Sequence, residues 1–375
     1  MIRILVAFGT RPEVIKMAPV IRELRKNARL FHSTLLATGQ HRGLLDQMLA
    51  VFDLRPDIDL KLMRAGQTLA GLTAGVLRKV PGILDEVRPD LVLVQGDTTT
   101  AMAVALASFY RGIPVGHVEA GLRTGDVLNP FPEELNRKTI GTVATLHFAP
   151  TARAAANLRH EDVPADRIFV TGNTVIDALR LIRPLARKIP NPVSSEGRRI
   201  VLVTVHRRES FGRPLQAVCQ ALRDLAARFE DIEIVFPVHP NPHVRESVEI
   251  LRGLPRISLL PPLDYLTFLR IMSDAVLVLS DSGGVQEEAP SLGKFVLVLR
   301  EKTERPEGLK AGLAKLVPPA RGPIVEAASR LLADAEAPAR AAQKKNPYGD
   351  GRAAVRIVGA IASGSWRDRK PPSAS

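Results

Sequence analysis

Short apolar, β-branched runs alternate along the whole chain with longer stretches in which apolar positions recur at helical spacing. In the first half the strand candidates are Ile2–Phe8, Ser33–Thr38, Leu91–Gln95, Pro114–Val118 and Leu146–Ala149. The intervening stretches include amphipathic helices over Val14–Asn27, Thr68–Val87 and Thr99–Tyr110. The pattern restarts with strands at Ile200–Thr204, Ile232–Val238, Ile257–Leu260, Ala275–Leu279 and Phe295–Leu299. Strand–helix alternation of this kind predicts an α/β fold built on parallel sheets. Between the halves, Arg183–Arg199 carries Pro184, Pro190, Pro192, two serines and Gly197, which reads as a linker. The expected organisation is therefore a Rossmann-like domain over residues 1–178 and a second over residues 179–350. Residues 351–375 remain as a closing segment, polar and frayed from Ser363 onward.

Composition narrows this only slightly. A chain of 375 residues, 45% of them hydrophobic, suits two cores rather than one, and with 4% aromatics the packing falls to aliphatic side chains. One cysteine, Cys219, cannot form an intramolecular disulfide, which fits a reducing compartment. The chain enters a strand-like run at Ile2 with no basic and apolar leader, and no apolar run is long enough to span a membrane. A cytoplasmic protein is expected.

The formal charge of +13 raises the question of nucleic acid. Arg and Lys are interleaved with Asp and Glu, as in Glu23-Leu24-Arg25-Lys26, and form no basic block or aromatic-studded stripe. A small anionic substrate accounts better for the charge. In paired parallel α/β domains it would lie in a cleft facing the carboxyl ends of both sheets.

Candidate chemistry sits where that geometry asks for it. The first strand ends in Phe8-Gly9-Thr10-Arg11-Pro12-Glu13, which brings Arg11 and Lys16 to a helix N-terminus, a position that favours anions. From this segment alone, an ordinary strand–helix turn with solvated charges is the preferred reading. After Leu91–Gln95 come Gly96-Asp97-Thr98-Thr99-Thr100, where Asp97 or Thr98 can cap a helix or act. Glu119 closes the next apolar run, and Glu133 stands near a helix start in Phe131-Pro132-Glu133-Glu134. Three carboxylates delivered to one sheet edge repel one another, so raised pKa values and acid–base work are expected. The chain offers no paired-His spacing for a metal and no GxGxxG for a dinucleotide.

In the second half His206 precedes Arg207 and Arg208, a cluster suited to clamping an anion. His239 lies in the proline-fixed loop Pro237-Val238-His239-Pro240-Asn241-Pro242 and reads there as a buried structural residue. Ser282-Gly283-Gly284 opens a helix with free N–H groups that can cradle a phosphate, and Glu288, one turn on, can accept from ribose hydroxyls. Arg305 adds a cation, and Phe268 can cover a base or pack in the core.

Taken together, FGTRPE, GDTTT, HVEAGLRTGD, FPEELNR, TGNTVIDAL, HRRESFG, DSGGVQEEAPSLGK, TERPEG and NPYGDG make the chain similar to the non-hydrolysing UDP-N-acetylglucosamine 2-epimerases, from Phe8 to Gly351 and in the family's order. The resemblance implies a GT-B-like pair of Rossmann-like domains with a helix after Asp350 returning to the first. It implies interconversion of UDP-GlcNAc and UDP-ManNAc without metal or nicotinamide, feeding surface polysaccharide synthesis. Arg11, His206, Ser282, Gly283, Gly284, Glu288 and Arg305 would hold UDP, while Asp97, Glu119 and Glu133 would carry the acid–base chemistry. A homodimer is implied as well, with a second UDP-GlcNAc as activator near Gln40, His41, Gln67, Arg207 and His239. The chain departs from many relatives at Gln95, where they have His, and at Leu263, where some have Gln. Three rivals stand beside this reading: an epimerase of a related UDP-2-acetamido sugar of the diacetamido-uronic acid type, a GT-B glycosyltransferase, and a hydrolysing epimerase that releases free ManNAc. A sensor that binds the nucleotide sugar without chemistry would have no use for the carboxylates and His206 together.

Overall fold

The computed structural model describes residues 1–39, 42–62, 66–207 and 210–367. The chain divides into two compact units, Met1–Leu181 together with the chain from Tyr348 onward, and Ile182–Pro347.

The first unit is a parallel sheet of β1 (Ile2–Phe8), β2 (Phe31–Ala37), β3 (Ile58–Asp59), β4 (Leu91–Gln95), β5 (Val115–Val118), β6 (Leu146–Ala149) and β7 (Ile168–Val170). The spatial order is β3-β2-β1-β4-β5-β6-β7, so chain order reverses between β1 and β4. Near-continuous burial of Leu91–Gln95 and Leu146–Ala149 follows from helices covering both faces. Those helices are α1 (Arg11–Lys26), α2 (Arg42–Val51), α3 (Leu69–Val87), α4 (Thr99–Tyr110), α5 (Glu133–Val143), α6 (Ala152–His160) and the first part of α7 (Thr174–Lys188), whose residues from Ile182 belong to the second unit.

The second unit repeats the plan with β8 (Arg199–Thr204), β9 (Ile232–Pro237), β10 (Ile257–Leu260), β11 (Leu277–Ser280), β12 (Phe295–Leu299) and β13 (Ala314–Val317). Its parallel order is β10-β9-β8-β11-β12-β13, with the reversal between β8 and β11. A core of aliphatic side chains from β8, β9, β11 and β12 packs on α8 (Arg213–Arg228) and on α13 (Arg321–Ala333). The remaining helices of this unit are α9 (Pro242–Val248), α10 (Tyr265–Asp274), α11 (Gly283–Ser291), α12 (Pro306–Lys310) and α14 (Ala337–Gln343). α15 (Ala353–Ala362) belongs to the first unit and packs on α1. Among the described residues no helix is long and apolar enough to cross a membrane.

Two expectations are corrected here. Arg183–Lys188 is the last part of α7 rather than linker, because Leu179, Ile182 and Ala186 form a buried stripe that outweighs the hydrogen bond Pro184 removes. The closing segment is not frayed at its start: Trp366 is buried, and its Nε1–H donates to the Ile361 carbonyl at 2.9 Å. Residues 368–375 lie outside the described residues.

Candidate functional site

Both reversals of chain order fall where the sequence places its polar clusters. In open parallel sheets the strands splay at such a point, and the loops that leave it line a crevice.

In the first unit, Gly9 follows β1 and lies so close to the residue after β2 and to α4 that a Cβ there would lie 2.4 Å from Thr38 Oγ1 and 2.9 Å from Thr100 Oγ1. The turn is tied by Glu13, whose Oε2 accepts from the Gly9 and Thr10 amides at 2.9 and 2.7 Å while Oε1 accepts from Thr98 Oγ1 at 2.7 Å. Glu13 therefore couples the Arg11 turn to the loop carrying Asp97. Burial pushes its carboxyl up, against the pull of those donors.

Two of the three carboxylates, Asp97 and Glu119, each have a cation beside them. Asp97 Oδ2 accepts from Arg137 Nη2 at 2.6 Å, and the same guanidinium reaches Glu134 Oε2 through Nη1 at 3.0 Å. Glu134, fully buried, takes the Thr124 and Gly125 amides on its other oxygen and so shapes the loop after Glu119. Glu119 Oε2 accepts from Lys16 Nζ and, at 2.8 Å, from Asn173 Nδ2. Lys16 thus sits on a carboxylate rather than in solvent. Glu119 also holds φ at +67°, a conformation costly for a residue with a Cβ and one found at functional sites. Glu133 opens α5, and its Oε2 is buried without a hydrogen-bond partner. Asn136 Nδ2 donates to the Asp97 carbonyl at 2.8 Å, which binds α5 to the β4 loop. Thr98 is the N-cap of α4, accepting from the Ala101 amide, so Asp97 stays outside the helix. Behind Asp97 the buried His117 donates from Nε2 to the Gly96 carbonyl at 2.7 Å, and burial lowers its pKa to about 4.

The second unit builds a different surface. Asp281, fully buried after β11, accepts on Oδ2 from Ser210 Oγ at 2.8 Å and from the amides of Arg207 and His206 at 3.0 and 3.1 Å. Its Oδ1 lies 3.4 Å from His206 Nδ1, so one carboxylate fixes the loop that presents His206. Ser282 is the N-cap of α11, but its side chain caps no amide there. A Cβ on Gly283 would stand 2.7 Å from Arg305 Nη1, so glycine is what lets that guanidinium lie against the helix start, whereas a Cβ on Gly284 would meet nothing closer than 3.9 Å. Arg305 is itself buried and held by Glu287 at 2.7 Å and by Glu304 at 2.6 Å. Burial alone pushes the Glu304 carboxyl up, but Arg305, Arg207 and Arg300 around it hold it well below the ordinary carboxylate range. Glu288 Oε1 accepts from the Tyr265 hydroxyl at 3.0 Å, and Phe268 is half-buried on α10 beyond the N-cap Asp264.

Of the residues singled out for an activator, Gln40 and His41 lie outside the described residues, Gln67 is exposed, and Arg207 bonds Glu304 at 3.3 Å. His239 is exposed rather than buried, because Asn241 caps α9 and its amide turns back onto the His239 ring. Leu263 is half-buried, and Gln95 is buried at the end of β4. Arg137, Asn173, Asp281, Glu304 and Glu13 were missed as partners of the chemistry. They stand inside the quoted motifs, but nothing in their spacing tells which distant group each one meets.

A family profile described as UDP-N-acetylglucosamine 2-epimerase matches residues 22–362. The UDP-N-acetylglucosamine 2-epimerases of Escherichia coli K12 and of Yersinia pestis are each 48% identical over 369 residues, covering 96% of this chain and 98% of theirs. The crystal structure of the UDP-GlcNAc 2-epimerase from Neisseria meningitidis bound to UDP-GlcNAc superposes with a TM-score of 0.90 at 42% identity, covering 96% of this chain and all of that one. A glycotransferase of kitacinnamycin at 13% identity and TM-score 0.62 shares the fold alone, which places the two Rossmann-like domains in the GT-B-like class.

Proposed function

This chain belongs to the UDP-N-acetylglucosamine 2-epimerase family, and from that premise we propose that it interconverts UDP-GlcNAc and UDP-ManNAc by inverting carbon 2 of the sugar. The observation that carries the reading is the division of polar groups between the two switch points. One gathers carboxylates with their own cations; the other gathers arginines, His206 and a glycine-opened helix start suited to a diphosphate.

Carbon 2 has no ketone beside it, so its proton is not acidic until the bond to UDP weakens. Arg11, His206, Arg305 and the amides at Ser282–Gly284 stabilise the departing diphosphate. As the bond from carbon 1 to oxygen breaks, its electron pair leaves with UDP, and positive charge grows on the sugar beside the carboxylates. One carboxylate takes the carbon 2 proton, the electrons of that bond form the carbon 1–carbon 2 double bond, and 2-acetamidoglucal results. Protonation of carbon 2 from the opposite face and return of UDP to carbon 1 complete the inversion. Opposite faces need two groups, drawn from Asp97, Glu119 and Glu133.

The same reading extends to a homodimeric cytoplasmic enzyme, to a second UDP-GlcNAc activating it beside Gln67, Arg207 and His239, and to a product used in surface polysaccharides. Proton NMR of the protein with UDP-GlcNAc in deuterated water tests the core of it. UDP-ManNAc bearing deuterium at carbon 2 is the expected product. Free ManNAc would assign hydrolysis instead, and recovery of unexchanged UDP-GlcNAc would reject the proposal.

A further inference from the structure

Glu119 is held by three restraints that come from different parts of the chain. Its own backbone is in the left-handed region at φ +67°. Lys16, from α1, donates to Oε2. Asn173, from the loop between β7 and α7, donates to the same oxygen at 2.8 Å.

Asn173 is buried, and each of its polar groups is engaged. Its Oδ1 accepts from the Val175 amide at 3.1 Å, which fixes the side-chain amide so that Nδ2 faces the carboxylate. Its own backbone N–H donates at 2.6 Å to the carbonyl of Tyr348, a residue 175 positions later that opens the return of the chain to the first unit. The contact is close on both sides. Gly172 has φ +86° and Gly349 φ +146°, and a Cβ on Gly172 would stand 3.2 Å from the Gly349 Cα. The return segment is then secured by Asp177, whose carboxylate caps α15 through the amides of Ala353 and Ala354 at 3.2 and 2.9 Å.

We propose that Asn173 is a positioning residue for Glu119, and that the main chain at Tyr348 holds Asn173 in place. The orientation of an acid–base group in the first unit thus depends on a segment from the far end of the chain. A donor on a carboxylate stabilises its charged form and fixes which way it points. Asn173 does not touch the sugar in this scheme; it acts through Glu119, and the inference rests on the acid–base role proposed for Glu119 above.

Asn173→Asp keeps the size of the side chain and an acceptor for Val175 but removes the donor; Asn173→Ala removes both. For either variant the turnover number should fall roughly 10- to 100-fold, as for loss of a hydrogen bond to a charged group. KM should change less than about threefold, because binding groups are untouched. The acid limb of the turnover-against-pH profile should move to higher pH, further for Asn173→Asp, which sets a second carboxylate beside Glu119. A side chain that merely supports the fold would lower the melting temperature and leave that limb in place. Turnover within about threefold of the parent in both variants, or reduced turnover with an unmoved acid limb, would overturn the proposal. Parent protein assayed in parallel separates the two ideas: an inactive parent sinks the epimerase reading. In that case hydrogen exchange still decides on the positioning, since amides from Glu119 to Thr124 must exchange faster in both variants, and unchanged exchange rejects it.

Discussion

At the scale of single residues the polar interior is organised by pairing across distance. Asp97 and Arg137 stand forty positions apart and meet at 2.6 Å; Asp281 gathers a loop more than seventy positions upstream. Periodicity carries no trace of such partnerships, so the carboxylates were legible and their cations were not. Buried histidines show the same limit. His117 and His147 are register partners on β5 and β6, and burial lowers their pKa values to about 4 and about 3. An unfolded imidazole takes a proton near pH 6.5. Below that pH the unfolded state therefore binds protons that the folded state refuses, and stability falls with falling pH until the folded groups protonate in turn. The first unit should lose stability from about pH 6.5 down to about pH 4, each histidine contributing up to ~1.4 kcal/mol per pH unit. Urea unfolding of His117→Gln, whose amide can still donate to the Gly96 carbonyl, should show about half the parent's slope over that window. An undiminished slope would mean that His117 is not the group responsible.

At the scale of elements, long runs with a clear period were readable and short or mixed ones were not. β4, β6, β10 and β12 coincide with their expected bounds, because short, mostly apolar runs set between turns leave little freedom. β3 and β7 escape notice because they span two and three residues at the sheet's margins, where burial on one side leaves no pattern. The end of α7 reads as linker from Arg183 onward because the prolines of that stretch mask the apolar stripe that continues past Pro184. The start of α11 carries a test of its own. A methyl on Gly283 would collide with Arg305, which Glu287 and Glu304 prevent from yielding, while a methyl on Gly284 meets only ordinary contacts at 3.9 Å. Gly283→Ala should thus weaken UDP binding about tenfold or more by calorimetry and lower stability as well, on the order of the 1–3 kcal/mol of an overpacked site. Gly284→Ala should keep parent stability, so any loss of affinity there reports the approach of the ligand. Equal stability in both variants would show that Arg305 moves aside freely.

At the scale of the whole molecule, the two units set unlike side chains on one plan of strand order. Each reverses its strand order at the point where its informative loops emerge. Yet the first unit places its carboxylates there, and the second places arginines and a helix start. If the second set holds the diphosphate while Glu133 serves only the sugar, ligand-induced stabilisation and turnover must come apart on mutation. A ligand that binds only the folded state raises its stability by RT ln(1 + [L]/Kd), about 2.7 kcal/mol at a hundredfold excess over Kd. Glu133→Gln, which removes a charge but keeps the shape of a side chain with a buried, unpartnered Oε2, should retain the parent's rise in melting temperature with UDP. Its turnover should fall by about two orders of magnitude or more, the usual range for removing an acid–base group. Gly283→Ala should show the converse at fixed UDP, a diminished thermal shift, with turnover recovering as UDP-GlcNAc is raised. Scanning fluorimetry with and without UDP, run beside the deuterium-exchange assay, reads both quantities on the same samples. Loss of the UDP shift in Glu133→Gln would place that carboxylate among the nucleotide-binding groups and end the division of labour proposed for the two switch points.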